Sequence, residues 1–182
     1  MNQAIAQPRR VVADKITMAH GGGGKAMRDL IEDVFTSVFC PPGMEDQARL
    51  MDPSILEPGA RLAFTTDSFV VSPMEFPGGD IGKIAVGGAK PLWLSAAFII
   101  EEGVEIATLR RIAASMQTAA DIAGVKIVTG DTKVVGKGSG DGVFITTSGV
   151  GVIDPSRDML AEKVEPGDVA IVNGVLGDHG AA

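Results

Sequence analysis

The chain of 182 residues is long enough for one good-sized domain, or for one domain and part of another. Its 16 lysines and arginines against 23 aspartates and glutamates give a net charge of −7, which argues against a nucleic-acid partner. The longest apolar run, at 91–100, is too short to span a membrane, and the polar N-terminus has no signal-peptide pattern. A single cysteine, Cys40, excludes an internal disulfide and favours the cytoplasm.

Residues 1–14 are predicted to be a flexible arm, and a glycine-rich segment follows at 19–25, Ala-His-Gly-Gly-Gly-Gly-Lys. Apolar residues then recur at the spacing of one buried helix face, which predicts a helix over about 26–39. The residues on this face are Met27, Leu30, Ile31, Val34, Phe35, Val38 and Phe39. Prolines 41 and 42 end the pattern, since proline cannot continue a helix.

The glycine run before this helix indicates a phosphate site. Glycines let the backbone approach an anion closely, and the free N–H groups and dipole of a helix N-terminus favour negative charge. Lys25 adds a positive charge at the junction. A mobile loop that binds nothing is the alternative, because the run matches neither the Walker A pattern nor G-x-G-x-x-G.

The rest of the chain shows alternating strand and helix patterns. Lys15–Ala19 is predicted to be a short extended segment, and later strands are predicted at 61–72, 92–100, 125–129 and 142–153. An amphipathic helix over 109–123, ended by Gly124, separates the second and third of these strands.

The last part of the chain begins a new pattern. Residues 165–168 read as a turn, 169–172 as a strand, and a helix is expected from Gly177. We therefore expect a first domain over 15–153 and the beginning of a second, truncated domain over 154–182.

Three turns carry aspartates that could bind a cation. Asp67 lies in Thr-Thr-Asp-Ser at 65–68, Asp80 follows a Pro-Gly-Gly turn, and Asp131 lies in Gly-Asp-Thr-Lys at 130–133. Mg²⁺ prefers carboxylate and phosphate oxygens, and Lys133 could contact the same phosphates. The alternative for each aspartate is a local turn or cap, in which the carboxylate bonds to neighbouring backbone.

Together these segments resemble the HypE family of hydrogenase maturation factors. The resemblance rests on the glycine run together with five later motifs, and it extends from about residue 15 to the end. The motifs are Phe-Thr-Thr-Asp-Ser-Phe-Val-Val-Ser-Pro at 64–73, Phe-Pro-Gly-Gly-Asp-Ile-Gly-Lys at 76–83, Leu-Ser through Phe-Ile-Ile-Glu-Glu-Gly at 94–103, Val-Thr-Gly-Asp-Thr-Lys-Val-Val at 128–135, and Gly-Asp-His-Gly at 177–180.

The resemblance implies an α+β, PurM-like N-terminal domain. Its mixed or antiparallel sheet would carry helices on one face and pair into a barrel in a homodimer, followed by the start of an α/β domain. It also implies an ATP-dependent enzyme that dehydrates a C-terminal cysteine thiocarboxamide to a thiocyanate. The implied partners are the carbamoyltransferase HypF and a HypC–HypD scaffold, which receives the cyano group for [NiFe]-hydrogenase; neither a membrane nor nucleic acid is expected.

The resemblance also implies a set of site residues. Gly21 to Lys25 would form a mobile phosphate lid, Asp67 and Asp131 would hold Mg²⁺ and the triphosphate of ATP, and Lys133 would be catalytic beside the transferred phosphate. The nucleotide-binding set implied in this way is His20, Gly21, Gly22, Gly23, Gly24, Lys25, Thr66, Asp67, Gly130, Asp131 and Thr132. Asp80 is a weaker candidate.

Two features depart from the family pattern. A segment resembling Gly-Thr-Val-Asn-Asp-Leu-Ala, whose aspartate is expected to bind metal, is missing between Val86 and Gly87. The second domain and its terminal cysteine tail are also missing, so we expect that this chain alone does not complete the reaction. The alternatives are another ATP-using enzyme of the superfamily, such as selenophosphate synthetase or thiamine-monophosphate kinase, or a nucleotide-binding dimer without turnover.

Overall fold

The computed structural model describes residues 10–39, 58–70, 89–156, 163–169 and 171. Its centre is a four-stranded sheet with the strand order β1-β4-β2-β3. The strands are β1 (Arg61–Val70), β2 (Lys90–Glu101), β3 (Lys126–Val135) and β4 (Val143–Ile153). β4 pairs antiparallel with β1 and β2, whereas β2 and β3 are parallel. The sheet is therefore mixed, as expected.

The helices form one layer against this sheet. A 3-10 turn at Met18–Gly21 is followed by α1 (Lys25–Leu30), which continues through a π-helical segment at Ile31–Thr36 into α2 (Ser37–Phe39). These pieces confirm the predicted helix at 26–39. α3 (Ile106–Ala123) joins β2 to β3 as the crossover that a parallel pair requires. Within the described residues, no helix is long and apolar enough to cross a membrane.

The two faces of the sheet differ in chemistry because side chains alternate along each strand. One face is buried under the helices, where Leu109 and Leu30 are 0% exposed. Its buried strand residues are Ala96, Phe98, Ile100, Ile127, Thr132, Val134, Val143, Ile145 and Thr147. The opposite face, called the open face below, carries Phe64 at 73% and Leu62 at 64% exposure.

Several local expectations change in the structure. The predicted extended segment at 15–19 contributes only a bridge from Lys15 to Glu105, and the chain then enters the 3-10 turn because Thr17 caps it. The third strand continues to Val135, beyond its predicted end, because Thr132 and Val134 keep alternating into the core. The predicted αL residue after α3 is confirmed, with Gly124 at a φ of 66°.

The beginning and end of the chain are described only in part. Of the predicted arm, Val11 donates its N–H to Asp33 at 2.7 Å, and the carbonyl of Asp14 accepts the N–H of Ile106 at 2.9 Å. The turn at 165–168 is present, with Asp168 N bonded to the carbonyl of Glu165 at 3.1 Å. Residues 169 and 171 are not in a strand. Predictions at Cys40, Pro41–Gly43, Asp80, the junction of residues 86 and 87, and 177–180 lie outside the described residues.

Candidate nucleotide-phosphate site

The segment that leads into the glycine run is held by local hydrogen bonds. His20 is 4% exposed, and its Nδ1 lies 3.1 Å from the backbone N of Thr17 and 3.0 Å from its Oγ1. Nδ1 also lies 3.3 Å from the carbonyl oxygen of Thr17, so all three contacts of this nitrogen are with one residue. His20 thus has a capping role in the 3-10 turn, and its predicted contact with nucleotide is untested.

The glycine run is fixed at one end and open at the other. A Cβ built on Gly21 would lie 2.7 Å from Cβ of Val134, so the backbone passes directly over β3 at a point where no larger residue fits. Cβ atoms built on Gly23 and Gly24 would meet nothing within 4 Å. Gly23 has a φ of 75°, a conformation that side-chain-bearing residues rarely adopt. Gly22 bonds its N–H to the carbonyl of Ala19 at 3.4 Å.

Lys25 begins α1 and forms an ion pair with Asp29, one turn along the same helix. The lysine side chain is 80% exposed and that of Asp29 only 11%. The pair uses Oδ2 of the aspartate, while Oδ1 is buried and has no hydrogen-bond partner among the described residues. Gly24, the N-cap residue, supplies no side-chain cap. The first turn of α1 therefore has a lysine that is reachable from solvent and no capping side chain.

The second part of the site is the middle of β3, at Gly130–Lys133. Gly130 faces Ala96 of β2 so closely that a Cβ on it would lie 2.3 Å from the Ala96 carbonyl oxygen. The register between these strands also shifts between Leu94 and Ser95, which leaves Val128 without a partner on β2. The close packing of β2 and β3 therefore explains why position 130 is a glycine, independently of any contact with a ligand.

The next three residues of β3 alternate between the two faces. Asp131 is exposed, and its Oδ1 accepts the backbone N–H of Thr132 at 2.8 Å, the local contact that was the alternative to metal binding. Thr132 is 7% exposed and faces the core. Lys133 is exposed and paired in register with Ile99 on the open face. A charged side chain on an edge strand also discourages pairing with other chains.

Thr66 and Asp67 lie at the opposite edge of the sheet, on β1. Asp67 of β1 lies opposite Thr147 of β4, and Thr147 lies opposite Ala96 of β2. Ala96 in turn lies opposite Gly130 of β3, the neighbour of Asp131. Two strands, β4 and β2, therefore separate the strands that carry the two aspartates. At the usual spacing of strands this separation is about 14 Å. Asp67 also lies on the same face of the sheet as Gly130. Because successive side chains of a strand alternate between the two faces, Asp131 lies on the opposite face. Within one chain, the two aspartates do not converge on one ion.

Thr66 is bound within the sheet. Its Oγ1 donates to the carbonyl of Thr147 at 3.0 Å and lies 3.2 Å from Oγ of Ser148. Ser68 and Thr146 form a similar pair at 3.0 Å on the same face. These hydroxyls form a polar band across the open face, between β1 and β4.

The acidic residues near the site test the fit for Mg²⁺. No group of three or more His, Cys, Asp or Glu side chains that could hold a metal occurs in the described part of the chain. Mg²⁺ bound with a nucleotide commonly uses one or two carboxylates and takes its other ligands from phosphates and water. Asp131 is exposed and offers one carboxylate on the open face of β3, whereas the glycine run contacts the core face of that strand at Val134, and Asp67 lies on the opposite edge strand.

Sequence reasoning did not predict the contacts of Glu101 and Glu102, at the end of β2. Glu101 accepts the N–H groups of Gly138 and Gly142, the latter at 3.1 Å, and these bonds lower the pKa of its carboxyl. Glu102 accepts the N–H of Met18 at 3.3 Å, at the start of the 3-10 turn. The paired glutamates were visible in the sequence, but nothing local indicated which loops they would contact.

Sequence reasoning also did not predict the ion pair between Asp33 and Arg110, which joins the π-helical segment to α3. Arg110 on α3 contacts both carboxylate oxygens of Asp33, at 3.0 and 2.7 Å, and Val11 donates to the same carboxylate. Asp33 lies in the π-helical segment, where the altered backbone spacing directs it toward α3. Hydrogen bonding from Arg110 is the main cause that lowers the pKa of Asp33.

Comparisons with known proteins agree with this geometry. A family model for the N-terminal domain of AIR synthase related proteins matches residues 45–153, which assigns the sheet and its crossover helix to that class. The chain is 73% identical over 177 residues to carbamoyl dehydratase HypE of Rhodobacter capsulatus, covering 92% of this chain and 52% of that protein. The chain belongs to the family of AIR synthase related proteins, and within it the chain matches the N-terminal half of HypE.

Solved structures give the same result. The crystal structure of Escherichia coli HypE matches with a TM-score of 0.75 and 46% identity, over 85% of this chain and 52% of that one. A crystal structure of HypE in complex with ATP matches with a TM-score of 0.62 and 45% identity, over 75% of this chain and 42% of that one. The PurM-like fold is thereby confirmed.

The comparisons also show two differences of length. The chain spans about half the length of the curated relatives it matches, 52% of the R. capsulatus protein. The alignment with that protein runs over 177 positions but covers only 92% of this 182-residue chain, so it includes positions at which the relative has a residue and this chain has none. The segment missing between Val86 and Gly87 would produce this difference.

Proposed function

We propose that this chain is the ATP-binding N-terminal part of a HypE-type carbamoyl dehydratase. The observation that carries the proposal is the contact between Gly21 and Val134, which brings the glycine run onto the strand that holds Gly130–Lys133. The similarity to a HypE that was crystallised with ATP supports the choice of nucleotide. The high identity to HypE favours it over selenophosphate synthetase or thiamine-monophosphate kinase.

In this proposal the glycine run holds the phosphates of ATP. Gly21 anchors the run on β3, while Gly23 and Gly24 have open space in which to close over an anion. The N–H groups at the start of α1 and the ammonium of Lys25 supply positive charge. His20 shapes the approach to the run, and Gly130 stays a predicted nucleotide contact. Thr132, which faces the core, and Thr66, on the opposite edge strand, are not used in this proposal.

Lys133 is proposed to act at the transferred phosphate. The family reaction phosphorylates the oxygen of a cysteine thiocarboxamide, with ADP leaving as the new O–P bond forms. Loss of both protons from the nitrogen and of phosphate from the carbon then yields the thiocyanate. An oxygen bound to carbon is a poor leaving group until it is phosphorylated, and a lysine stabilises the charge of the phosphoryl group in transfer.

Mg²⁺ is proposed to bind with the nucleotide and to neutralise phosphate charge. Asp131 would contribute one carboxylate from the β3 edge, with the remaining ligands from phosphate and water. Asp67 stays in the proposal as a second carboxylate that acts at a separate point, since about 14 Å divides the two strands within one chain. The proposal therefore does not use both aspartates of one chain on the same ion.

We further propose that the open face of the sheet forms the homodimer contact. Phe64, Leu62 and Ile99 are 73%, 64% and 44% exposed on this one face. Exposed apolar side chains on a single surface mark a protein–protein contact. The polar band described above would lie inside the same contact, consistent with the paired barrel expected for the family.

The proposed partners are those of the family. HypF would load the carbamoyl group, and the HypC–HypD complex would accept the cyano group, both through the cysteine tail of the complete enzyme. A second candidate is a dimer that binds nucleotide without turnover. ADP release by the chain in the presence of MgATP and a carbamoylated cysteine peptide would separate the two.

Calorimetric titration with MgATP tests the binding proposal. The chain should bind, and Lys133→Ala should weaken binding by about tenfold, the effect of losing one charge-assisted contact. Lys126→Ala is the matched control, since Lys126 is an exposed lysine at the other end of the same strand. Absence of binding by the unaltered chain would refute the proposal, and equal loss in both variants would remove Lys133 from the site.

A further inference from the structure

Lys25 and Asp29 form an ion pair whose orientation works against helix stability. Lys25 is the first residue of α1, at the positive end of the helix dipole, and Asp29 follows four residues later. Acid-before-base is the favourable order for such pairs, and this order is reversed here. The lysine is 80% exposed, so solvent screens the attraction. The pair contributes little to folding.

Asp29 is also costly as a buried group. The residue is 8% exposed, and its Oδ1 is buried with no hydrogen-bond partner among the described residues. A buried acceptor without a partner is unfavourable, so a native example calls for an explanation. Its position next to Lys25, at the open end of the glycine run, provides one.

The direction of the lysine side chain supplies the next step. The contact with Asp29, one turn further along α1, holds the ammonium of Lys25 against the side of the helix. A polyphosphate at the helix N-terminus would attract the same ammonium. The carboxylate of Asp29 and the phosphates therefore compete for one cation.

We infer that Asp29 is a positioning residue that sets the affinity for polyphosphate by competing for Lys25. In the ligand-free chain Asp29 holds the ammonium, and on ATP binding Lys25 exchanges the carboxylate for phosphate oxygens. This inference rests on the proposed function. The exchange lowers affinity, because each binding event must break the Lys25–Asp29 pair. It also keeps the lysine charge neutralised while no anion is bound.

The test is a comparison of MgATP affinity among variants of the chain. Asp29→Asn removes the competing charge at nearly constant volume and should tighten binding about two- to fivefold, the range for a partly exposed ion pair. In a Lys25→Gln background, Asp29→Asn should change the MgATP affinity by less than the error of the measurement, because the ammonium for which Asp29 and the phosphates compete is gone. Adenosine, which has no phosphate, should bind all variants alike.

A matched control separates competition from net charge. Asp121→Asn on α3 removes one negative charge from another acidic residue that has a helical i, i+4 partner, Gln117, at 2.8 Å. It should leave MgATP affinity unchanged. Tightening by Asp121→Asn, or tightening by Asp29→Asn that persists without Lys25, would overturn the inference. So would unchanged or weaker binding by Asp29→Asn.

A second measurement does not depend on any variant folding. In the unaltered chain, the carboxyl ¹³C resonance of Asp29 should shift on addition of MgATP and stay constant on addition of adenosine. A constant resonance at saturating MgATP would overturn the exchange while leaving ATP binding intact. If the unaltered chain bound no MgATP, both the proposed function and this inference would fail.

Discussion

Gly21 and Val134 lie so close that a Cβ on the glycine would come within 2.7 Å of the valine Cβ. The valine is 2% exposed and belongs to the core. The contact joins the beginning of the glycine run to the strand that carries Asp131 and Lys133, across more than a hundred residues of sequence. It brings the glycine run to that strand on the core side, at Val134, whereas the side chains of Asp131 and Lys133 lie on the open face.

Gly21→Ala should therefore separate these motifs. The added methyl group clashes with a buried side chain, and overpacking of this kind costs about 1–3 kcal/mol of stability. We expect a lower unfolding temperature and weaker MgATP binding. Gly136→Ala is the control, because a Cβ there meets nothing within 4 Å and the residue lies outside the proposed site. Equal effects in the two variants would show that the contact with Val134 is unimportant.

Gly130→Ala should disturb the pairing of β2 and β3. Its Cβ would lie 2.3 Å from the Ala96 carbonyl oxygen, and backbone in the middle of a sheet cannot move aside as a flexible side chain can. We expect a loss of at least about 1–3 kcal/mol by denaturant unfolding. Gly136→Ala, at a position with open space on the same chain segment, should be nearly neutral. A Gly130→Ala variant as stable as the unaltered chain would contradict the close approach of these two strands.

Asp33 should make stability depend on pH in the acid range. Hydrogen bonding from Arg110 lowers the pKa of Asp33 in the folded state, so its contribution is present above the unfolded pKa of about 3.9 and is lost as pH falls through the folded pKa. Asp33→Asn should cost about 1–2 kcal/mol at neutral pH and less as pH falls below 4. Urea unfolding at several pH values measures this, and a penalty that is equal at pH 3 and pH 7 would contradict the account.

Phe64→Asp should weaken self-association. Phe64 is 73% exposed on the open face, so a charge there adds no core defect but opposes an apolar contact between subunits. Sedimentation velocity should show a shift toward monomer. Ile122→Asp is the control, since Ile122 is 84% exposed on α3, which packs against the other face. Dimers that persist in Phe64→Asp would move the contact elsewhere.

The sequence predicted most of the elements because their periodicities are local. The helix at 26–39, the Gly124 terminus of α3 and four strand positions follow from spacing and glycine placement alone. The sequence could not predict the strand order, which depends on long-range pairing. For that reason it could not show that Asp67 and Asp131 lie on opposite edges of the sheet.

The supporting contacts of the site were also beyond sequence reasoning. Asp29 and Asp33 lie outside the predicted apolar face of the helix, yet Asp29 is a buried carboxylate with one unpartnered oxygen among the described residues and Asp33 binds Arg110 from α3. Both roles depend on the burial created by the neighbouring elements. Resemblance identified the motifs, but only the folded chain shows which of them meet.

Amide NMR of the ¹⁵N-labelled chain during MgATP titration tests the central claim most directly, since it reports both parts of the site at once. Resonances of Gly22–Gly24 and of Asp131–Lys133 should shift together and saturate with one dissociation constant. Shifts confined to β1, or no shift in either segment at saturating MgATP, would contradict a phosphate site formed by the glycine run and β3.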